Sequence, residues 1–260
     1  MNKNFSRIVE SFSFSPASSA LWRKRGGLLH RELGLSRASA ETMTAHHYRA
    51  NGAPVVSTDL GAPAAPFLFV LVLAGELKIV KGEKITTLGA LDTWCRYGVG
   101  ESTTWSLSHT TDIIMIKGAP AAATVYGAPD REHWIVTREA EEAYMKGKGP
   151  REFFSYRDLG IAAATNRRIH IQLVRAEQSV EGGTGWHFHT MGQLFFVIRG
   201  CAELLVEDAA CVRMVPGDAM CIAAGMRHDV AAFSRDYFLL EMCIPADYDT
   251  QDAPSPTRDA

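Results

Sequence analysis

Short apolar runs cut by glycine turns dominate this chain. Phe67-Leu68-Phe69-Val70-Leu71-Val72-Leu73 is apolar without interruption, turns at Gly75 and resumes as Leu77-Lys78-Ile79-Val80. Gly82, Gly89, Gly98 and Gly100 punctuate the next stretch of chain. Runs of this length at regular turn spacing predict strands of a sandwich or barrel over 66–126. The same character returns over 166–246, with strands expected at 169–175, 193–199, 202–206, 219–223, 229–233 and 237–244. Between the two regions, 137–147 reads as a helix. Thr137 can cap it, Glu139, Glu141 and Glu142 fall in its first turn, Lys146 in its last, and Gly147 can take the left-handed position after it. Residues 1–45 are mixed and predict an arm of short strands packed on a neighbour. The tail from Asp247, rich in Asp, Pro, Ser and Thr, is expected to fray.

The two β regions look like copies of one unit. The segment 69–77, Phe-Val-Leu-Val-Leu-Ala-Gly-Glu-Leu, parallels 194–202, Leu-Phe-Phe-Val-Ile-Arg-Gly-Cys-Ala, at an offset of 125 positions. That is a credible length for one small barrel. The expected division is an arm at 1–45, a first barrel at 46–127, a linker with a helix at 128–165, a second barrel at 166–246 and a tail at 247–260.

Composition narrows the function classes. The 260 residues are 47% hydrophobic and 22% charged, with a formal net charge of −2, so no basic field advertises nucleic acid. Arg23-Lys24-Arg25 reads as a solvated turn. The five cysteines are odd in number and contain no CxxC pair, which argues against a disulfide framework and for buried reduced thiols. No secretory leader and no run of about 18 apolar residues is seen, so a cytoplasmic protein with no membrane partner is expected.

The densest chemical signal is His187-Phe188-His189-Thr190-Met191-Gly192-Gln193, with His228 some way beyond. Side chains at i and i+2 of a strand share a face, so His187 and His189 should project together into a barrel, with Gln193 on the same parity. His228 should arrive from a later strand. Three imidazoles and an amide oxygen suit one divalent transition metal such as iron, zinc, nickel or manganese. None of the four is anionic, so the ion would keep its full charge toward a substrate oxygen. On the repeat, positions 187, 189 and 193 map onto Ala62, Ala64 and Leu68. Only the second copy can then hold metal.

These motifs resemble the cupin superfamily of small β-barrels. His187-X-His189-X3-Gln193-X6-Gly200 follows the spacing of the first cupin motif, G(X)5HXH(X)3-4E(X)6G, with Gln in place of Glu. Gly217, Ala223, Gly225, His228 and Ala232 fall at the positions of the second, G(X)5PXG(X)2H(X)3N, with Ala for both Pro and Asn. The resemblance implies an all-β fold of two tandem cupin-type barrels, each a double-stranded β-helix or jelly roll, joined by a short helix. It also implies strand exchange or packing between barrels, and a homodimer. Its members with three histidines include ring- and diketone-cleaving dioxygenases. Those with Gln at this place include non-redox isomerases and lyases acting on sugar acids or enolisable keto acids. An iron-dependent dioxygenase is the leading expectation, a metal-assisted isomerase or lyase the second, and a non-catalytic small-molecule-binding bicupin the third.

Further candidates surround the motif. Glu241 interrupts the apolar strand at 238–242. It is either a general base in the cavity or an edge carboxylate paired with an Arg. Phe195 and Val197 share the parity of Gln193 and should line an apolar pocket for a small-molecule substrate, with Met220 and Ile222 beside them. Trp186 and Arg227 flank ligands and are expected at the pocket mouth, where Arg227 can grip a carboxylate. His170 is read as structural.

Overall fold

The computed structural model describes residues 9–61, 65–98, 100–120, 127, 129, 131–148, 151–209 and 211–256. Among them the only α-helices are Leu35–Ala38 and Ile161–Ala164; nearly all other regular structure is strand. Four antiparallel sheets make two barrels. In the first, a seven-stranded sheet runs His133–Thr137, Thr93–Tyr97, Phe67–Ala74, Asp112–Gly118, Met43–Ala50, Leu28–Glu32, Arg23–Arg25. It faces a four-stranded sheet of Val55–Gly61, Thr103–Leu107, Leu77–Lys81 and Lys84–Leu88. In the second, the seven-stranded sheet runs Ser13–Ser15, Ala219–Ile222, Gly192–Arg199, Phe238–Ile244, His170–Ala176, Phe154–Asp158, Met145–Lys146. Its partner sheet holds Val212–Met214, Ala202–Val206, His228–Phe233, His187–His189 and Thr250–Asp252, with Val180–Glu181 beside His228–Phe233.

The central strands are apolar on both faces because both faces are buried. Phe67, Phe69 and Leu71 join one core with Leu194, Phe196, Leu240 and Met242, which presses the two large sheets together. Leu68, Val70 and Val72 turn the other way and fill the first barrel with Trp94 and Trp105, whose rings meet edge to face at 5.7 Å. Phe195, Val197, Met220 and Leu239 fill the second barrel.

The repeat is geometric as well as sequential. Phe67–Ala74 and Leu77–Lys81 recur as Gly192–Arg199 and Ala202–Val206 at the same 125-residue offset. Between each pair lies a glycine at positive φ, Gly75 (74°) and Gly200 (70°). A Cβ at either would meet backbone, Thr111 at 2.7 Å or Tyr237 at 2.6 Å, so only glycine fits the hairpin. The barrels also exchange strands within the chain. Ser13–Ser15 of the arm pairs with Ala219–Cys221 of the second barrel, and His133–Thr137 pairs with Thr93–Tyr97 of the first. Each exchanged strand covers an edge of the other half's sheet. Ala62 and Ala64 lie outside the described residues; Leu68, the counterpart of Gln193, is fully buried in the first barrel's core.

Three local expectations are corrected. The segment 137–147 is not the connecting helix; that helix is Ile161–Ala164. Thr137 ends a strand and donates its hydroxyl to the Leu159 carbonyl at 3.1 Å, Glu141–Ala143 is a single 3-10 turn, and Met145–Lys146 pairs with Phe154–Asp158. The acids expected in a first helical turn are drawn off by tertiary partners instead, Glu139 by Arg157 and Glu141 by Arg175. The tail does not fray at 250–252, where it forms a strand beside His187–His189. Cys95, Cys221 and Cys243 are buried free thiols, but Cys201 is half-buried and Cys211 exposed.

Phe196→Ala should cost about 3–5 kcal/mol, because its ring is buried between the barrels with no space to collapse into. Urea unfolding should show the lower midpoint in probes of both barrels.

Candidate metal centre and substrate cavity

His187 and His189 point the same way from a three-residue strand whose central Phe188 points oppositely; both imidazoles are buried. His228 opens the neighbouring strand and pairs directly with His187. The ring centroids lie 4.5 Å (His187–His228), 4.9 Å (His187–His189) and 5.2 Å (His189–His228) apart. One nitrogen from each converges, all three within 4.8 Å of one another.

The outer nitrogens are already committed. His187 Nδ1 lies 2.7 Å from the Gly185 carbonyl and His228 Nδ1 3.0 Å from the Met226 carbonyl, so each must donate and leave Nε2 with a free lone pair. His189 Nδ1 bonds the Thr250 hydroxyl at 2.8 Å. Burial holds all three rings below the ordinary imidazole range and Arg151 lowers each further; with neighbouring rings adding to the effect, His189 sits at about 2 and His228 at about 4. Neutral imidazole is the form that ligates a metal.

Gln193 lines the same cavity as these rings from the central strand. Its Nε2 donates to Glu241 Oε1 at 2.9 Å, and its buried Oε1 has no hydrogen-bond partner. Glu241 is buried on the adjacent strand and takes a second amide donor, Gln172 Nε2, on its other oxygen at 2.5 Å. Its partners are therefore two amides rather than an Arg. A partnerless buried oxygen lining the same cavity as three converging imidazoles fits a hard-to-borderline divalent ion.

These groups face a cavity of about 340 Å³. Phe154, Val174, Phe195 and Leu239 give it apolar walls; Tyr156, Tyr237 and Tyr248 add phenol groups; Lys148 and Arg151 line it as cations.

No family model and no curated protein sequence matches the chain. Solved structures do match it in three dimensions. Lactobacillus farciminis oxalate decarboxylase, in a formate complex, aligns with a TM-score of 0.64 over 92% of this chain and 88% of its own, at 12% identity. A point variant of Bacillus subtilis oxalate decarboxylase aligns at 0.57 over 92% and 78%, at 13% identity. The same Bacillus enzyme at pH 4.6 gives 0.55 with the same coverage and identity. These neighbours are bicupins. The chain has the bicupin fold.

In this fold the cavity lies over one half of the second barrel's large sheet, from Gly192–Arg199 across to Phe154–Asp158. That corrects part of the expected lining. Phe195 is on the wall, but Val197, Met220 and Ile222 are apolar filling, and the strand of Met220 and Ile222 flanks Gly192–Arg199 on the side away from Glu241. Arg227 does not reach the cavity; its Nε donates to Glu207 at 2.6 Å and its backbone N–H to the same carboxylate at 2.8 Å. Trp186 is half-buried outside the lining, its carbonyl accepting from the Ala253 N–H at 2.9 Å. His170 is half-buried, 3.9 Å from Asp158. The residues not anticipated come from the linker (Lys148, Arg151, Phe154, Tyr156), from the tail (Tyr248, Thr250) and from the second barrel itself (Gln172, Val174, Tyr237, Leu239). Gln172 carried the one readable signal, a polar position inside an apolar strand.

Thr250→Val removes the hydrogen-bond partner of His189 Nδ1 and should weaken divalent-metal affinity about 10–100-fold. Thr250→Ser should restore it, as read by competition with a colorimetric chelator.

Proposed function

We propose that this bicupin is a metal-dependent enzyme acting on a small, anionic, oxygen-rich molecule by moving a proton next to a carbonyl group. The observation that carries the reading is the juxtaposition in one cavity of three pre-oriented imidazoles, the orphaned Gln193 Oε1 and the Glu241 carboxylate. A divalent transition metal held by His187, His189, Gln193 and His228 would supply a centre that polarises substrate oxygens and stabilises negative charge developing on them.

The side chains divide the remaining work. Arg151 and Lys148 attract the substrate's anionic end. Among the described residues no carboxylate lies in ion-pair distance of either, so their charge is available to a ligand. Phe154, Phe195 and Leu239 exclude water from the bound molecule, which strengthens every polar contact inside. Glu241 accepts the substrate proton. Two amide donors, Gln172 Nε2 and Gln193 Nε2, hold both its oxygens in place facing the cavity. A small acid also agrees with the structural neighbours, which are named for oxalate, although likeness at 12–13% identity bears on the fold alone.

Proton transfer, leading to isomerisation or elimination, thus moves ahead of the dioxygenase reading because of where Glu241 lies. The oxygen-dependent cleavage of a diketone or dihydroxyaromatic stays as the second reading, favoured by the aromatic wall of Phe154, Tyr156, Phe195 and Tyr237.

Metal-loaded protein in deuterated water should exchange the α-proton of small keto acids without consuming oxygen. Glu241→Gln should slow that exchange about 10²–10⁴-fold with metal content unchanged. Oxygen uptake with diketones or catechols would favour the second reading, and silence in both assays would sink the enzymatic one.

A further inference from the structure

The first barrel carries no imidazole pair at the repeat-equivalent of the metal site, yet the same end of it is crowded with cations. Leu68, which stands where Gln193 stands in the second barrel, pairs with Arg96 on one neighbouring strand and with Lys117 on the other. Residues directly paired across strands share a face, so both basic side chains flank Leu68 on the interior side. Arg25 falls at the position equivalent to Arg151 on the 126-residue offset seen between the two short helices, His30 at that of Tyr156 and His46 at that of Gln172. Four of the places that shape the second barrel's cavity are therefore occupied here by Leu68, Arg25, His30 and His46.

These groups are close enough to act on one another. The His30 ring stacks on Tyr48 at 5.5 Å and lies 5.9 Å from His46. Burial, together with His30, Lys117 and Arg25, brings His46 down to about 4; burial with Arg25 and Arg96 brings Lys117 down to about 8. Arg96, fully buried, donates to the carbonyls of Glu101 and Ala65 at 3.3 and 3.5 Å. Asp59 is the carboxylate that acts on Lys117, and it is 75% exposed and 3.8 Å from Arg25. Among the described residues no carboxylate lies in ion-pair distance of Lys117. His30 and His46 also line a cavity of about 490 Å³ beneath the N-terminal arm, with Arg23 and Arg31 on its wall. The one acid there, Glu32, is engaged by the backbone N–H groups of Gly34 and Ser36 at 2.5 and 3.1 Å.

We propose that the first barrel binds a small multiply charged anion, a polycarboxylate or a phosphate, with Lys117 and Arg25 supplying charge and His30 and His46 supplying ring N–H groups. Fixed side-chain cations there do what a metal would do in the second barrel. Like charges held together in a partly desolvated site are costly without a counterion, and an anion removes the cost. The plug formed by Trp94 and Trp105 closes the interior behind them, so the ligand is confined to the mouth. The site is independent of any metal and of turnover.

The test uses full-length His187→Ala/His228→Ala protein, in which the second barrel's site is disabled, titrated with malonate and separately with inorganic phosphate at physiological ionic strength. One-to-one binding by calorimetry is expected for at least one of the two, and the arm that binds identifies the class. Lys117→Met in the same background should weaken binding about tenfold or more. Losing Lys117 relieves repulsion, so the ligand-free variant should melt no lower than its parent, which separates lost binding from lost fold. Arg25→Gln should weaken binding from the other side of the mouth. Binding of neither anion, or equal affinity with and without Lys117, would overturn the proposal.

Discussion

Two large sheets pressed face to face leave their central strands no solvent on either side, and this double burial governs the rest of the molecule. A polar side chain on such a strand must find a partner or a ligand. In the second barrel Gln193, Gln172 and Glu241 sit on three adjacent strands, and they answer one another in a chain of two hydrogen bonds. One acceptor, Gln193 Oε1, is left over. In the first barrel the counterparts of Gln193 and Glu241 are Leu68 and Met115, both fully enclosed in apolar packing. The same architecture thus yields a site in one half and a filled core in the other through a handful of substitutions.

The site is rigid because its supports come from distant parts of the chain. His187–His189 is a strand of only three residues, held between His228–Phe233 on one side and Thr250–Asp252 on the other. Each imidazole is turned by a bond at Nδ1, two to nearby carbonyls and one to the tail. Such outer bonds fix tautomer and ring direction before a ligand arrives, which lowers the ordering cost of binding. The exchanged strands Ser13–Ser15 and His133–Thr137 tie both barrels into one unit, so the first barrel supports the second through the shared core.

Local spacing made much of this readable in the sequence. The i, i+2 histidines, the parity of Gln193, the 125-residue repeat and the polar interruption at Glu241 are all features of one strand or of two aligned ones. Long-range contributions were not readable. Thr250 and Tyr248 belong to a segment whose composition suggests fraying, and it becomes a strand only because the edge of His187–His189 needs a partner. Arg151 and Phe154 belong to a stretch that looks like linker, yet Phe154–Asp158 is part of the second barrel. Parity placed Phe195 and Val197 on the interior face; it carries no information on which half of the sheet the cavity covers. The helix expected at 137–147 satisfied its local capping rules and lost to ion pairs with Arg157 and Arg175.

Three neutral imidazoles and one amide oxygen of the second barrel are the proposed ligands of a single divalent cation. X-ray absorption at the metal edge, on protein loaded with one equivalent of zinc or manganese, tests this most directly. The expected result is a nitrogen and oxygen shell near 2.0–2.2 Å with the outer scattering of three imidazole rings, falling to two rings in His228→Ala. A sulfur shell near 2.3 Å, or no ordered imidazole scattering at all, would contradict it.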